Sequence, residues 1–388
     1  MLHKKKRKMR VLVFTDEYDF GHYTFIYNEI KKLQEAGVEV HVVCERTGKL
    51  KNDDTNYTCI PVVKNSLLRA IYLWCNNRDL HFVVSQFRYV RRRKKIIRDF
   101  KPDLVHVHFG DTAVRLFFVM EQEFSKYPFL VSFHGFDASA HLDKPHYLER
   151  LRKLAGFRNF YAICVSEHIR RNLVSRGLSI TDRNSSILYY GIHLEMFSRT
   201  NYKNNEVPVF LQISGFYEKK GHVYTLRAFR KFLDISGRAA KLIIGGGGPL
   251  KEAIVDHCRE LGLSDHVIFP GWISREEIVR LFNNADYFVH HSITSDEGDQ
   301  EGLPNAIIEA MAMELPVIST FHSGIPELVE DGVNGYLVQE KDIDAYAERM
   351  QRMLTWTYLP ASREKVRNFF SIQAHTDELL RIYNTLKK

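Results

Sequence analysis

Short apolar runs, each followed by a stretch with helical spacing, recur along this chain in two successive series. The first series holds VLVFTD (11–16), VEVHVVCE (38–45), DLVHVHFG (103–110), PFLVSFHG (128–135) and FYAICVS (160–166). Between the first two lies FIYNEIKKLQEAG (25–37), helical in spacing and closed by Gly37. The second series restarts at PVFLQISG (208–215) and continues through AAKLIIGGGG (239–248), HVIFPGW (266–272), ADYFVHHS (285–292), LPVIST (315–320) and GYLV (335–338). Strand–helix repetition of this kind forms a parallel sheet covered on both faces. The polar stretch SRTNYKNNEVP (198–208) reads as a linker between the two series. The expected class is therefore α/β, with two doubly wound domains over 1–198 and 199–365 and a final helical segment over 366–388. Ligands of such sheets bind at the carboxyl ends of the strands, which for two facing domains means the cleft between them.

Composition supports two ordinary globular domains. The chain has 388 residues, 45% apolar and 26% charged. No apolar run approaches the ~20 residues that span a bilayer. The start, MLHKKKRKMRVLVFTDEY, has a basic segment followed by only VLVF, too short for a signal-peptide core. Five scattered cysteines (Cys44, Cys59, Cys75, Cys164, Cys258) lack C-x-x-C spacing, which fits a reducing compartment better than a disulfide framework or a zinc site. Charge is uneven. Residues 1–200 hold 34 Lys and Arg against 21 Asp and Glu, and the rest 21 against 26, so the first half is basic and the second acidic. A basic half suits anionic partners.

The segment EGLPNAIIEAMAMELPVIST (301–320) carries the most chemistry. A helix is expected to start near Pro304 or Asn305, with Glu301 in the loop before it and Glu309 about one turn inside. A loop carboxylate, free N–H groups at a helix start and a second carboxylate a turn later suit a phosphorylated, hydroxyl-rich ligand. A solvated glutamate on an amphipathic helix is the plain alternative. Four further motifs sit at expected strand ends. Gly21 follows the first strand, where glycine lets backbone approach a phosphate. His134 and Asp137, in HGFD, stand at the end of the strand in PFLVSFHG; an imidazole there can donate to a sugar hydroxyl or to developing charge. Lys220, in SGFYEKKGH, precedes a helix and can neutralise a diphosphate. Trp272 and Ile273, in GWI, stand at the end of the HVIFPGW run, and Trp272 is as well explained by packing. His106 and His108 alternate within a strand and share one side; they read as mostly structural, with proximity to the cleft left open for His108. GGGGPLKEAIVDHC (245–258) is no dinucleotide fingerprint, because Pro249 enters directly and no acidic residue ends the next strand.

The E-x7-E spacing, the GLP turn, EAMA, LPVIST and SGIPELV, in that order, resemble the nucleotide-sugar site of the family 4 glycosyltransferases, which have the GT-B fold of two Rossmann-like domains facing across a cleft. The resemblance is closest to bacterial exopolysaccharide enzymes of the colanic-acid type. It is strong over 208–340, moderate over 128–197, where CVSEHIRRNLVSRG and YYGIHLEMF match with Tyr190 in place of a common asparagine, and weak over 46–100. The resemblance implies a retaining glycosyltransferase, and a final helix crossing back onto the first domain. It implies that Glu309 binds the donor ribose, Glu301 contacts the donor sugar, and the N–H groups of Gly302, Leu303 and Asn305 line sugar and phosphates. Lys220 would face the diphosphate, Gly21 the diphosphate and acceptor, His134 the donor sugar, and the GWI backbone the base. Where the family usually has an arginine five residues before the lysine, this chain has Gly215.

No D-x-D-like metal site is found; Asp299 in GDQE belongs to the acidic lead-in. Metal independence is expected, the nucleotide-sugar being the donor substrate and no cofactor being needed. Residues 65–100 mix Leu, Tyr, Trp and Phe with a basic run from Arg88 to Arg98. That mixture suits peripheral contact with an anionic membrane on its cytoplasmic side, where a lipid-linked glycan acceptor would lie; a solvated basic helix is the alternative. No motif points to nucleic acid. The alternatives in function are a non-catalytic partner subunit, raised by Gly215, and a GT-B nucleotide-sugar epimerase or a phosphorylase.

Overall fold

The computed structural model of this chain describes residues 7–18, 24–47, 54–60, 80–202 and 205–387. It divides into two compact units, Met1–Leu188 with His375–Lys388, and Tyr189–Ala374. The division thus falls ten residues before the polar stretch, because the segment after Leu188 bonds to the second unit: the Ile192 N–H donates to Phe370 and the Ile372 N–H to Ile192. The helix Ile372–Leu386 starts in the second unit and supplies the last segment of the first.

The first unit is a seven-stranded parallel sheet. Its strands are β1 (Arg10–Tyr18), β2 (Glu39–Thr47), β3 (Asn56–Cys59), β4 (Leu104–His108), β5 (Phe129–Phe133), β6 (Phe160–Cys164) and β7 (Ser185–Ile187). Their order is β3-β2-β1-β4-β5-β6-β7. The short edge strands β3 and β7 lack the apolar runs that mark the others; β3 is NYTC and β7 is SSI. Alternate residues Val11 and Val13 of β1 and Val40 and Val42 of β2 pack with Ile26, Ile30 and Leu33 of the helix Thr24–Glu35 and with Leu379, Ile382 and Tyr383 of the C-terminal helix. Each such buried aliphatic side chain contributes about 1.5–3 kcal/mol.

The second unit holds β8 (Val209–Ile213), β9 (Lys241–Gly245), β10 (Val267–Gly271), β11 (Tyr287–Val289), β12 (Val317–Thr320) and β13 (Gly335–Val338), all parallel, in the order β10-β9-β8-β11-β12-β13. Phe210, Leu242, Ile244, Val289 and Ile318 from the sheet pack against Phe229, Phe232, Tyr346 and Met350 from its helices. Strand order reverses between β1 and β4 in the first sheet and between β8 and β11 in the second. In each sheet such a reversal opens a crevice at the strand carboxyl ends; in the second, Lys220 follows β8 and Glu301 lies in the loop after β11.

The basic run of the first unit lies on the helix Leu80–Phe100. Arg91, Arg92, Lys95 and Arg98 are exposed. Arg93 instead is buried, 3.8 Å from Glu45, so the run is not one uniform solvated face. Among the described residues no helix is long and apolar enough to cross a membrane.

Candidate functional site

In the second unit, chain leaving β8 turns through Ser214–Tyr217 into a short 3-10 turn, Glu218–Lys220, and then the helix His222–Ser236. Gly221 joins turn to helix with φ +59°, and a Cβ there would meet the His291 carbonyl oxygen at 1.7 Å. Only glycine accepts that approach. It brings Lys220 against the loop before the helix Asn305–Ala312, where its ammonium pairs with the Glu301 carboxylate. Glu301 is buried. Burial works to raise its pKa, but the Lys220 ammonium, with Lys219 behind it, outweighs that and holds the carboxyl at about 2. Lys219 pairs with Asp299 at 2.9 Å. Asp299 therefore serves as a partner for lysine.

The loop carrying Glu301 is fixed from behind. Its N–H donates to Nε2 of His322 at 3.1 Å, and Nδ1 of His322 lies 2.6 Å from Oε1 of Glu340. Because Nε2 accepts, the imidazole proton belongs on Nδ1, facing Glu340. Glu340 also accepts from the Thr294 N–H at 2.8 Å. Ser323 Oγ donates to the Glu301 carbonyl. None of these anchors was anticipated; His322 follows β12 and Glu340 follows β13, where strand-end position was the available signal.

The helix Asn305–Ala312 begins where the sequence places it, after Pro304 and without a side-chain cap. Among the described residues, the N–H groups of Gly302, Leu303 and Asn305 have no acceptor. The Asn305 side-chain oxygen is likewise buried and without a partner. Glu309 is half-buried on this helix. Burial pushes its carboxyl up to about 7, opposed by the nearby Arg275 guanidinium. Its carboxylate meets no described hydrogen-bond or ion-pair partner. The segment thus combines an anchored carboxylate, a row of uncommitted donors and an uncommitted carboxylate.

His290, directly after β11, is a further buried neighbour: burial, then the Lys220 charge, lowers its pKa to about 3, so the ring is neutral. Among the described residues neither of its ring nitrogens has a hydrogen-bond partner. Trp272 is 84% exposed and Ile273 is half-buried against Gly245. The Trp272 ring therefore does not belong to the core, against the packing alternative. A Cβ at Gly215 would meet the ring of Tyr217 at 2.9 Å, an exposed side chain that would have to swing aside for a longer residue there.

In the first unit, His134 follows β5 and is buried between Phe25 and Phe109. Its Nε2 lies 3.2 Å from Nδ1 of His108. Burial, and then the charge at His108, push the His134 pKa well down. Asp137 is sealed. Its two oxygens accept from the N–H groups of Gly110 (2.8 Å), His134 (3.0 Å) and Gly135 (2.9 Å). It shapes the loop that holds His134, and its oxygens are turned inward to backbone. His106, as expected from the alternation, shares a side with His108; it meets the Tyr383 hydroxyl and the Ser132 hydroxyl, each at 2.7 Å. Gly21 lies outside the described residues.

Glu29, His106 and His108 offer ligand atoms within 4.8 Å of one another. A metal bound through His106 would have to displace one of the two hydroxyls that already engage both of its ring nitrogens, so the donor set fits a hydrogen-bonded cluster better than a metal centre.

Comparison with known proteins bears on this arrangement. The family described as "Glycosyltransferase Family 4" matches residues 21–196, and the one described as "Glycosyl transferases group 1" matches residues 195–368. The chain is 27% identical over 410 residues to the putative colanic acid biosynthesis glycosyltransferase WcaL of Salmonella typhimurium, covering 97% of this chain and all of that one. It is 28% identical to the amylovoran biosynthesis glycosyltransferase AmsK of Erwinia amylovora, covering 89% and 90%. Among solved structures, a glycosyltransferase from Rickettsia africae superposes with a TM-score of 0.76 at 19% identity over 99% of this chain and all of that one. Anabaena HepE, in complex with UDP and glucose, superposes with a TM-score of 0.73 at 15% identity over 97% of this chain and all of that one. At these identities the structural likeness establishes the fold alone.

Proposed function

The chain belongs to glycosyltransferase family 4, and from that premise we propose that it moves a sugar from a nucleotide-sugar donor to a growing, lipid-linked polysaccharide, with retention of anomeric configuration and without a metal. The observation that carries this reading is the segment Glu301–Glu309. Along one loop and one helix start it sets an ion-paired carboxylate and, among the described residues, three N–H groups without acceptors and a carboxylate without a partner. A nucleoside-diphosphate sugar offers what these groups lack: ribose hydroxyls for Glu309, sugar hydroxyls for Glu301, and phosphate and hydroxyl oxygens for the N–H groups.

The residues divide the work by charge. Lys220 takes up the charge that develops on the leaving diphosphate, and the helix dipole adds to it. That cationic and dipolar set is why no metal is invoked. The acceptor hydroxyl attacks on the face from which the diphosphate leaves, and a diphosphate oxygen accepts its proton. Such a step relies on positioning and charge stabilisation more than on a strong protein base. His134 donates to the donor sugar. Trp272 and Ile273 border the base. The exposed residues Arg91, Arg92, Lys95 and Arg98 support peripheral contact with an anionic membrane that carries the acceptor. The polysaccharide assignment follows the names of WcaL and AmsK.

The test is transfer to an extracted lipid-linked acceptor pool with isotopically labelled donor, in the presence and absence of a chelator, with the anomeric configuration of the product read by NMR. Retained configuration and unchanged rate with chelator support the reading. Inversion, or loss of rate on chelation, contradicts the corresponding part of it. Donor isomerised in the absence of any acceptor would favour the epimerase alternative.

A further inference from the structure

The edge of the first sheet carries two cysteines that the transfer chemistry above does not use. Cys44 lies on β2 and Cys59 on β3, and the two are direct partners in the parallel ladder. Neighbouring strands run about 4.7–4.9 Å apart, and a disulfide joins Cα atoms about 4.4–6.8 Å apart. The two main chains therefore already stand at bridging distance. Both side chains also leave the sheet on one face. Cys44 belongs to the core that β1 and β2 form with the helices Thr24–Glu35 and Ile372–Leu386, and Cys59 packs against that same core. The Cys59 thiol leans towards β2, donating at 3.4 Å to the carbonyl oxygen of Glu45, the residue after Cys44. The ladder continues past the pair, since the Ile60 N–H donates to the Cys44 carbonyl at 2.7 Å.

The two thiols differ in what reaches them. Cys44 is 1% exposed, whereas Cys59 is half-buried. Burial first, and then the neighbouring Cys59 thiol, push Cys44 up to about 12, so it stays protonated and is a poor first nucleophile. An external reagent therefore meets Cys59 first. Cys164 has no such neighbour in its ladders: it is buried in β6, opposite Phe133 on one side and Ile187 on the other. Cys258 is buried in the second unit, on the helix Lys251–Glu260.

We propose that Cys44 and Cys59 are a reactive dithiol, which low-molecular-weight disulfides convert reversibly into a covalent bridge between β2 and β3. The Cys59 thiolate attacks one sulfur of the small disulfide. That S–S bond breaks, a mixed disulfide forms on Cys59, and one small thiol leaves. Cys44 then gives up its proton and attacks Sγ of Cys59, and the second small thiol leaves. Two protein thiols are oxidised, one small disulfide is reduced to two thiols, and the two protons end on those thiols. The second step is favoured because the ladder holds the two sulfurs side by side. The bridge ties the edge strand to its neighbour and closes the chain between them, which restricts the unfolded state. None of this chemistry depends on sugar transfer.

The test uses the full-length protein, reduced and then incubated, folded, with oxidised glutathione. It is digested without reductant and read by mass spectrometry. Trypsin cuts at Arg46, Lys49 and Lys51, which separates Cys44 from Cys59, and at Lys64 and Arg69, which separates both from Cys75. Expected is one linked pair of peptides holding Cys44 and Cys59, released by dithiothreitol. In Cys44→Ala, glutathione should remain on Cys59. In Cys59→Ser, Cys44 should react at least about ten-fold more slowly than Cys59 does in Cys44→Ala. Circular dichroism checks that both variants fold, and the wild-type result stands without them. The bridged protein should melt at a higher temperature than the reduced one, a rise that treated Cys44→Ala does not show. A lasting glutathione adduct on Cys59 of wild type, a link from either cysteine to Cys75, or two unmodified thiols would overturn the proposal. An unchanged or lowered melting temperature on bridging would overturn the tether.

Discussion

The Glu301 N–H donates to Nε2 of His322, and the other nitrogen of that ring faces Glu340 at 2.6 Å. This buried connection ties the donor-side loop to the ends of β12 and β13. His322→Ala leaves the Glu301 N–H and the Glu340 carboxylate short of a partner, at a cost of about 1–3 kcal/mol. The expected outcome is a lower melting temperature and a donor KM raised several-fold. His322→Asn, which can still accept from the N–H, should recover part of both.

Lys220→Ala should be more damaging. It strands the Glu301 carboxylate in a buried place and removes the cation assigned to the leaving diphosphate. Breaking a buried pair from one side costs about 3–5 kcal/mol. Unfolding should therefore shift markedly, and kcat should fall far more than KM rises. The double replacement Lys220→Ala with Glu301→Gln should regain stability without regaining activity. Chemical denaturation and steady-state kinetics separate the two effects.

Gly221→Ala tests the placement of Lys220. The added methyl group would lie on the His291 carbonyl oxygen, and the backbone there has φ +59°. Backbone must shift, and we expect a loss of at least about 3 kcal/mol. Gly237 also has a positive φ, +60°, but a Cβ there meets nothing within 4 Å. Gly237→Ala should cost only about 1 kcal/mol, which makes it the control for strain without a clash.

Glu309 gives a signed pH dependence. Its folded pKa is raised to about 7 from the ordinary 4.5. The folded state therefore holds a proton that the unfolded state gives up. That contribution is full below about 4.5 and is lost as pH rises through about 7. Glu309→Gln should thus be more stable than wild type at pH 8 and equal to it at pH 4.5, by thermal unfolding. Donor binding should run the other way in wild type, strengthening as the carboxylate ionises. Equal stability of the two proteins at both pH values would refute the shift.

The places of Glu301, Lys220 and Asn305 on the fold were legible because strand-end and helix-start positions are written in local pattern: an apolar run stops, a Gly or Pro follows, and a polar or charged residue stands next to it. The β8-to-helix turn and the start at Asn305 fall where that punctuation puts them. The buried cluster around Glu29 was not legible. Glu29 sits 77 residues from His106 and 346 from His375, and only the folded sheet brings the three together. The period-2 pair His106 and His108 placed both rings on one face, but period alone does not reveal a carboxylate arriving from another helix. Asp137 shows the converse. It stands at the same strand end as His134, yet three backbone N–H groups claim its oxygens. Arg93 was hidden for a similar reason: it lies inside a basic run, yet it is buried and faces Glu45.

The central claim is that the segment from Glu301 to Glu309 binds a nucleotide-sugar. The most direct test is binding and slow hydrolysis of UDP-, GDP- and ADP-sugars by the wild-type protein and by Glu309→Ala, both with a chelator present. One donor class is expected to bind and be cleaved by wild type, with affinity reduced at least about ten-fold in Glu309→Ala. Failure of every donor to bind a folded wild-type protein would contradict it and favour a non-catalytic partner.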